Sequence, residues 1–320
     1  MRFFSFFVLL MLLPVTCRGQ AIDNTLSYKD LGCNRYFRIS YENDFFTATD
    51  IYYTQGINLE MVASGLSKFP LAKLLLRPAY GEIKYGIGLE HAGYTPTSLG
   101  SDAILYGDRP FTATLLLKTF SIATDSVYKQ RFSTTLSTGI MGPDAGGQQM
   151  QTDIHRWLHN IIPRGWENQL HNDAALNYQV DYEKLVASYG NLFSADVSAI
   201  GRAGTLSDKA SLGGTLMLGY FDSPYSGKEE YRSHFRLYVY EHPEVDAVGF
   251  DATLQGGLLN KTSPYTIPAA QVTRFTLQNR AGFVISWQRV YLEYFLTQLT
   301  REFSTGKPHA WGGVQIAFGL

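Results

Sequence analysis

The stretch Phe132–Ile140, FSTTLSTGI, alternates between two kinds of side chain from one residue to the next. Successive side chains of a β-strand point to opposite faces, so Phe132, Leu136 and Ile140 share one face and the serines lie on the other. The same period-two pattern recurs from end to end of the chain. We count about thirteen such segments, near residues 36–44, 54–63, 83–92, 111–120, 130–140, 174–186, 190–200, 211–221, 232–242, 246–257, 274–287, 289–301 and 311–320. The chain is therefore predicted to be all-β.

The composition of the chain limits its class. It has 320 residues, a formal net charge of −1, 17% charged residues and 14% aromatic residues. So aromatic a chain has ample apolar surface to bury, which excludes a disordered protein. A net charge near zero argues against nucleic acid as a partner, because nucleic-acid binding usually needs a basic face. Cys17 and Cys33 are the only cysteines, and a disulfide framework is therefore excluded.

Residues 1–19 have the order of a secretory signal peptide. Arg2 supplies the positive charge, Phe3–Pro14 the apolar run, and Thr16–Gly19 the small and polar residues of a cleavage region. We therefore expect one mature domain of residues 20–320. No later window approaches the ~20 consecutive apolar residues that a membrane helix requires. The mature chain is then either an exported soluble β protein or a transmembrane β-barrel.

Aromatic residues near the strand ends favour the transmembrane barrel over a soluble β-sandwich. They are predicted to form an interfacial girdle, whose members are Tyr52, Tyr53, Tyr220, Phe221, Tyr225, Tyr238, Tyr240, Tyr291, Tyr294 and Phe295. The last segment, Val314–Leu320, alternates up to the carboxyl terminus. Because single-chain bacterial barrels have an even number of strands, we expect an antiparallel barrel in which one of the thirteen assignments is wrong. The alternative is that these aromatics form the core of a secreted sandwich.

A cluster of oxygen-bearing side chains interrupts the pattern where the first segment ends. Glu42, Asn43, Asp44 and Asp50 form this acidic turn. Carboxylate and amide oxygens are the hard ligands that calcium takes in proteins. The same residue types are also favoured in solvated turns, because Asp and Asn suit turn geometry.

Residues 142–172 form the longest stretch without period two, and we call it the active-site loop. Within it, Gln148–Ile162 is predicted to be one amphipathic helix with an apolar side and a polar stripe of Gln151, His155 and His159. His155 and His159 could be a zinc pair, but the run lacks the Glu that zinc proteases place beside the first His. His155 could equally be an ordinary packed histidine. The nearby Gln151 and Glu167 favour a general base, because the unperturbed pKa of His lies near neutral pH.

Several short motifs, in this order along the chain, resemble those of the outer-membrane lipid A 3′-O-deacylases. They are Glu42-Asn43-Asp44-x-Phe46 with Asp50-x-x-Tyr53-Thr54-x-Gly56, Tyr94-Thr95-Pro96 with Asp108-Arg109-Pro110-Phe111, Gly142-Pro143 with Gln151-x-x-x-His155, Gly165-Trp166-Glu167-Asn168-Gln169-Leu170, and Arg301-Glu302-Phe303. The resemblance implies a twelve-stranded barrel in the bacterial outer membrane, with its active site at the outer rim. It also implies calcium-dependent hydrolysis of the ester that holds the 3′ acyloxyacyl chain on lipid A of lipopolysaccharide.

The resemblance also implies roles for particular residues. Asn43 and Asp44 match the family's pair beside the calcium, and Thr54 matches its hydroxyl. His155 matches the histidine that activates water, and Glu167 is the choice for its acidic partner. We expect His155 to be held by Gln151 or Glu167 while it takes a proton from water.

Two arginines are candidates for binding the glucosamine phosphates of the substrate, namely Arg109 and Arg156. Both could also be rim residues that only contact solvent. We expect the chain to act as a monomer among outer-membrane lipids. A non-catalytic barrel of porin or adhesion type would explain the period-two pattern equally well, and a secreted carbohydrate-binding sandwich is a third reading.

Overall fold

The computed structural model describes residues 22–49, 51–226 and 235–320. Within these residues, twelve strands form one closed antiparallel barrel in which each strand pairs with its neighbour in sequence and the last pairs with the first. The strands are β1 Tyr36–Asn43, β2 Tyr52–Val62, β3 Glu82–Thr95, β4 Thr112–Asp125, β5 Gln130–Met141, β6 Asp173–Tyr189, β7 Phe193–Gly204, β8 Ser207–Tyr220, β9 Arg236–Asp251, β10 Phe275–Trp287, β11 Val290–Leu299 and β12 His309–Gly319. Two α-helices accompany them, α1 Gly147–Trp157 and α2 Ala252–Gln255. The predicted signal peptide lies outside the described residues.

The count of thirteen segments is wrong by one, and the error lies in β9. The segments predicted near 232–242 and 246–257 belong to a single strand, and the end of the second forms α2 instead. Pro243 lies inside this strand, where pairing with β8 skips from Glu241 to Glu244. Proline has no N–H to donate to a neighbouring strand, so it interrupts the ladder locally without ending the strand.

Apolar side chains cover the outside of the barrel and charged side chains line its lumen. Exposed outward residues include Ile39, Leu59, Leu89, Leu117, Leu296 and Ile316, whereas the buried residues of the lumen include Arg38, Glu60, Glu90, Arg131, Glu183 and Glu293. A soluble sandwich would have the opposite arrangement, and an apolar exterior is that of a transmembrane barrel. None of the helices in the described residues is both long and apolar enough to span a bilayer.

The predicted aromatic girdle is wrong for most of its members. Only Tyr220 and Tyr294 are exposed, and the others are buried. Tyr238 and Tyr240, for example, donate from their hydroxyl groups to the carbonyl of Tyr28 and to Glu293 in the lumen. Alternation assigns these tyrosines to one face of a strand but does not identify that face as the inner one.

Residues 22–34, the amino-terminal segment, fill the lumen. Most of them are buried, including Ile22, Leu26 and Lys29. Wall residues bind the segment from several sides: Lys118 Nζ donates to the carbonyl of Ile22 at 2.7 Å, and Ser27 Oγ donates to Asp196 at 3.0 Å. The buried charges of the lumen are therefore compensated by the chain's own amino-terminal peptide.

The two ends of the barrel differ in their connections. The loops 44–51, 96–111, 142–172, 252–274 and 300–308 lie at one end, and the amino-terminal segment joins β1 at the other. Outer-membrane barrels carry their longer loops on the cell surface, so we call the first the outer end and the second the periplasmic end. The acidic turn and the active-site loop are both at the outer end.

Candidate active site

Strand alternation divides the acidic turn between two sides of the wall. The carboxylate of Glu42 lies in the lumen, where it accepts hydrogen bonds from Arg280 at 3.1 Å and Trp311 at 2.8 Å. Asn43 is the next residue and therefore points outward. Its side chain accepts from the N–H of Phe45 at 2.7 Å and caps a 3₁₀ turn that begins with Asp44.

Asp44 is a buried carboxylate beside this cap. It is 2% exposed, and its Oδ2 accepts from the N–H of Ile51 at 2.6 Å. Asn43 and Asp44 thus both lie at the outer end, in the turn between β1 and β2. Asp50, the fourth member of the predicted cluster, lies outside the described residues.

Helix α1 is shorter than predicted, and its polar side is the buried one. It ends at Trp157, not at Ile162. His159 adopts a left-handed conformation, with φ of 56°, which turns the chain back after the last helical turn. The buried residues of the helix are Gly147, Gln151 and His155, whereas Trp157 is 79% exposed. An apolar side that faces outward from a membrane barrel is directed at lipid.

The helix lies against the outer surface of the wall. Lys118 of β4 faces the lumen, so Ala113, five residues before it, faces outward. A Cβ atom on Gly147 would lie only 2.5 Å from the Cβ of Ala113 and 2.8 Å from the ring of Trp166. Glycine at position 147 therefore permits the close approach of helix and wall.

A chain of hydrogen bonds joins α1 to the acidic turn. The indole N–H of Trp166 donates to Gln151 Oε1 at 2.7 Å, and Gln151 Nε2 donates to Thr54 Oγ1 at 3.1 Å. The carbonyl of Thr54 in turn accepts from the side-chain amide of Asn43. Residues far apart in sequence are thus brought together at one place on the outside of β1 and β2.

His155 follows Gln151 by one helical turn and is 7% exposed. Its Nδ1 lies 2.6 Å from the carbonyl oxygen of Ile161. A carbonyl oxygen only accepts, so Nδ1 must carry the proton of the neutral ring and Nε2 keeps its lone pair. The hydrogen bond therefore selects the tautomer in which Nε2 can act as a base.

The partner of His155 was not predicted from the sequence. Gln151 bonds to Thr54 and Trp166, and Glu167 is exposed in the 3₁₀ turn Trp166–Asn168. Among the described residues, no hydrogen bond joins Glu167 to the histidine. The left-handed residue His159 brings Ile161 back over the helix, and no sequence signal marks a non-glycine residue for that conformation.

The two predicted phosphate-binding arginines are in different environments. Arg109 is buried, pairs with Glu302, donates to Thr253 Oγ1 at 2.6 Å and lies over the ring of Tyr94. It thereby ties together three loops of the outer end. Arg156 is 64% exposed on α1, 3.1 Å from Asp153.

The sequence did not identify two residues of the wall beneath the active-site loop as candidate site residues. Gln55 and His91 occupy outward positions of β2 and β3 and are both buried. Gln55 Nε2 has no hydrogen-bond partner within the described part of the chain. A buried amide of this kind is a group that a bound molecule could satisfy. The only signal in the sequence was the position of Gln55 directly after Thr54.

The residues present suit calcium better than zinc. The described residues contain no cluster of three His, Cys, Asp or Glu side chains that could hold a metal, and His159 is exposed beyond the end of α1. Among the described residues, Asp44 would be the one carboxylate of such a site, accompanied by amide and main-chain oxygens. That donor set is one that calcium accepts and zinc does not prefer.

A separate cavity of about 90 Å³ lies in the lumen, lined by Asp23, Glu60, Glu90 and Lys118 among others. Thr54, Gln151 and His155 are not among its lining residues. It lies on the other side of the wall from α1, and the chemistry described above does not involve it.

Comparisons with known proteins agree with this architecture. LpxR from Salmonella typhimurium has a TM-score of 0.73 at 19% identity, over 89% of this chain and 100% of that chain. The beta domain of the Bordetella autotransporter BrkA has a TM-score of 0.49 at 8% identity, over 89% of this chain and 98% of that one. No curated protein matches the sequence. A family model described as outer membrane protein LpxR matches residues 4–320, so this chain belongs to the LpxR family and is a β-barrel of the bacterial outer membrane.

Proposed function

We propose that this protein is a calcium-dependent hydrolase that removes the 3′-linked acyloxyacyl chain from lipid A, acting as a monomer at the outer rim of the barrel. Membership of the LpxR family supports a hydrolase in general terms. The observation that carries the specific proposal is the tautomer of His155. Its Nδ1 is bonded to Ile161 and its Nε2 keeps a lone pair, one helical turn beyond Gln151, which is linked through Thr54 to Asn43.

In the proposed reaction, His155 Nε2 takes a proton from a water molecule as the water oxygen attacks the ester carbonyl. The carbonyl of Ile161 stabilises the imidazolium that forms, because it still accepts from Nδ1. The tetrahedral intermediate then expels the sugar oxygen, which recovers the proton from His155. The products are a free fatty acid and a sugar hydroxyl, and no covalent enzyme intermediate is required.

Asn43 and Asp44 are the residues that would hold calcium. When bound, the ion would polarise the ester carbonyl as a Lewis acid, an effect worth several kcal/mol. Gln151 positions Thr54 and is itself held by Trp166. We assign a structural role to Arg109, because its guanidinium pairs with Glu302. We assign contact with the phosphates of the substrate to Arg156, which is exposed.

The exposed apolar side of the active-site loop is an argument for a lipid as the substrate. Trp157, Leu158 and Ile161 are all more than half exposed at the membrane side of the site. An acyl chain would cover these residues as its ester approaches His155. A porin reading has less support, because the amino-terminal segment occupies the lumen.

The first prediction concerns His155→Gln, which keeps a polar side chain but cannot act as a base. We expect a loss of about 10²–10⁴-fold in the deacylation rate, the usual contribution of a general base. The measurement is mass spectrometry of lipid A from cells that express the protein. The matched control is His159→Asn, at an exposed histidine just beyond the same helix, because asparagine tolerates the left-handed conformation of this position; it should retain full activity.

Both variants should run as folded, heat-modifiable barrels on gels. Loss of the 3′ chains in cells that express the folded His155→Gln variant would contradict the assignment of the base.

A further inference from the structure

The connection between β2 and β3 does not extend into the periplasm as a simple turn. Residues 63–81, which we call the strap, fold back onto the outside of the barrel wall through two 3₁₀ turns, Ser64–Lys68 and Pro70–Leu74. Ala72 and Leu75 are buried against Leu136 of β5. Leu136 faces outward, because Arg131, five residues before it, binds the carbonyl of Thr25 in the lumen.

The strap reaches the depth of the membrane. β5 runs from Gln130 at the periplasmic end to Met141 at the outer end, and Thr134 and Leu136 are the fifth and seventh of its twelve residues. Exposed tyrosines lie on the periplasmic side of this level, at or beyond the strand ends, namely Tyr80, Tyr128, Tyr182 and Tyr189. Such a ring of aromatics marks the interface between lipid and water. The strap therefore lies in the periplasmic leaflet, on the opposite end of the barrel from α1.

The main chain of the strap is hydrogen-bonded in the way that this depth requires. Backbone groups exposed to lipid cost several kcal/mol each, so irregular segments are tolerated only where these groups find partners. The 3₁₀ turns satisfy part of the strap internally. The hydroxyl of Tyr178 accepts from the N–H of Leu76 at 2.8 Å and donates to the carbonyl of Leu74 at 3.1 Å. Thr134 Oγ1 donates to the carbonyl of Leu76 at 3.3 Å.

The outer surface of the strap combines apolar and basic side chains. Leu74 is 60% exposed and Leu76 is 54% exposed. Lys68, Lys73 and Arg77 are exposed as well, and the strap contains no Asp or Glu. Basic residues beside apolar ones at a membrane interface attract anionic lipids, since the leucines enter the acyl region while the cations meet the phosphates.

We propose that the strap is a binding site for anionic phospholipid of the periplasmic leaflet. Leu74 and Leu76 contact the acyl chains, and Lys68 and Lys73 bind the headgroup phosphate. Arg77 donates to the carbonyl of Ala72 at 2.9 Å and lies over the ring of Tyr85, so it both supports the strap and adds positive charge. This site is separate from the proposed active site and does not depend on it.

The test uses the mature full-length protein in nanodiscs of phosphatidylethanolamine and phosphatidylglycerol, with native mass spectrometry of the lipids that stay bound. Lys68→Gln/Lys73→Gln removes two exposed charges that have no structural contact in the strap turns. We expect the fraction of protein that retains phosphatidylglycerol to fall by about tenfold or more, given the usual contribution of each basic residue. Retention of phosphatidylethanolamine should not change.

The matched control is Lys129→Gln/Arg289→Gln, which removes two exposed cations from other turns at the same end. Full retention of phosphatidylglycerol by this control supports a specific site. Equal losses in the two variants, no loss in either, or equal binding of both lipids by the unmodified protein would each overturn the proposal. Heat-modifiable mobility on gels verifies that both variants are folded.

Discussion

Helix α1 and the strap both lie on the outside of the same wall, one at the outer end and one at the periplasmic end. The helix buries Gln151 and His155 and exposes its apolar residues, whereas the strap buries Ala72 and Leu75. Burial of polar side chains costs free energy unless each finds a partner. The hydrogen bonds of Gln151 and His155 meet that requirement, and they hold reactive groups beside the wall. The strap, in contrast, buries only apolar side chains, and its hydrogen bonds with the wall are made by its main chain.

The comparison shows that the two segments bury different kinds of side chain, which distinguishes the proposed catalytic element from the proposed lipid-binding one. Both segments expose leucine, isoleucine or tryptophan to lipid, so surface composition does not distinguish them. Changes at α1 and the acidic turn should therefore affect catalysis, and changes in the strap should affect stability or lipid binding alone.

Asp44→Asn is expected to have the largest effect on activity among the changes that sharpen this comparison. The substitution preserves shape but removes the carboxylate, and loss of a calcium contribution of several kcal/mol corresponds to about 10²–10³-fold in rate. Chelation of calcium should reduce the unmodified protein to a similar rate, measured on purified lipid A. Asp102→Asn, at an exposed carboxylate of the outer end, is the control. If the Asp44→Asn variant kept full activity in the presence of chelator, the result would contradict a role for calcium in the mechanism.

Gln151→Ala is expected to lower activity by about 10–100-fold. It breaks the hydrogen bonds to Thr54 and Trp166 and leaves a buried indole N–H without a partner, at about 1–3 kcal/mol. Deacylation kinetics and thermal unfolding should both respond. Gln149→Ala, on the exposed side of the same helix, should change neither. Equal effects of the two substitutions would mean that the buried polar stripe has no special role.

The same substitution, glycine to alanine, can be made in α1 at Gly147 and in the strap at Gly65, which compares the two regions directly. In Gly147→Ala, the new methyl group would force α1 away from Ala113, and overpacking of this kind costs about 1–3 kcal/mol, so we expect about a 5–50-fold loss of activity. Gly65→Ala in the strap places a methyl group in open space and should have no effect. The measurement is the rate of release of the 3′ chain by each purified variant. Unchanged activity of Gly147→Ala would show that the helix need not approach the wall so closely.

Leu75→Ala should have the smallest effect on activity, less than about twofold, because its surroundings are remote from the site. Removal of a buried leucine should still lower the free energy of unfolding by about 2 kcal/mol, near the lower limit for such a change. Leu74→Ala, at an exposed position, should leave that free energy within about 0.5 kcal/mol of its original value. Denaturant titration in bilayers measures both. A large loss of deacylation in the Leu75→Ala variant would contradict the separation of the two regions.

The positions of most strands can be predicted from the sequence because apolar and polar residues alternate along them. The sequence does not predict which face is inward, since that depends on what fills the lumen; Tyr238 and Tyr240 were therefore assigned to the membrane interface. In the candidate site, the spacing of Gln151 and His155 predicts a shared helical face, and the structure places both against the wall. The hydrogen bond to Ile161 depends on the backbone conformation of His159, which local sequence does not determine.

The peptide that fills the lumen binds strands from every part of the barrel. Arg38 of β1, Arg131 of β5 and Tyr238 of β9 all donate to its carbonyl groups. These donors converge only when β12 has joined β1 and the cylinder is closed. Bringing together residues so distant in sequence costs loop-closure entropy. The amino-terminal segment can therefore make all of these contacts at once only in the complete cylinder, and in that state the membrane protein fills its own interior.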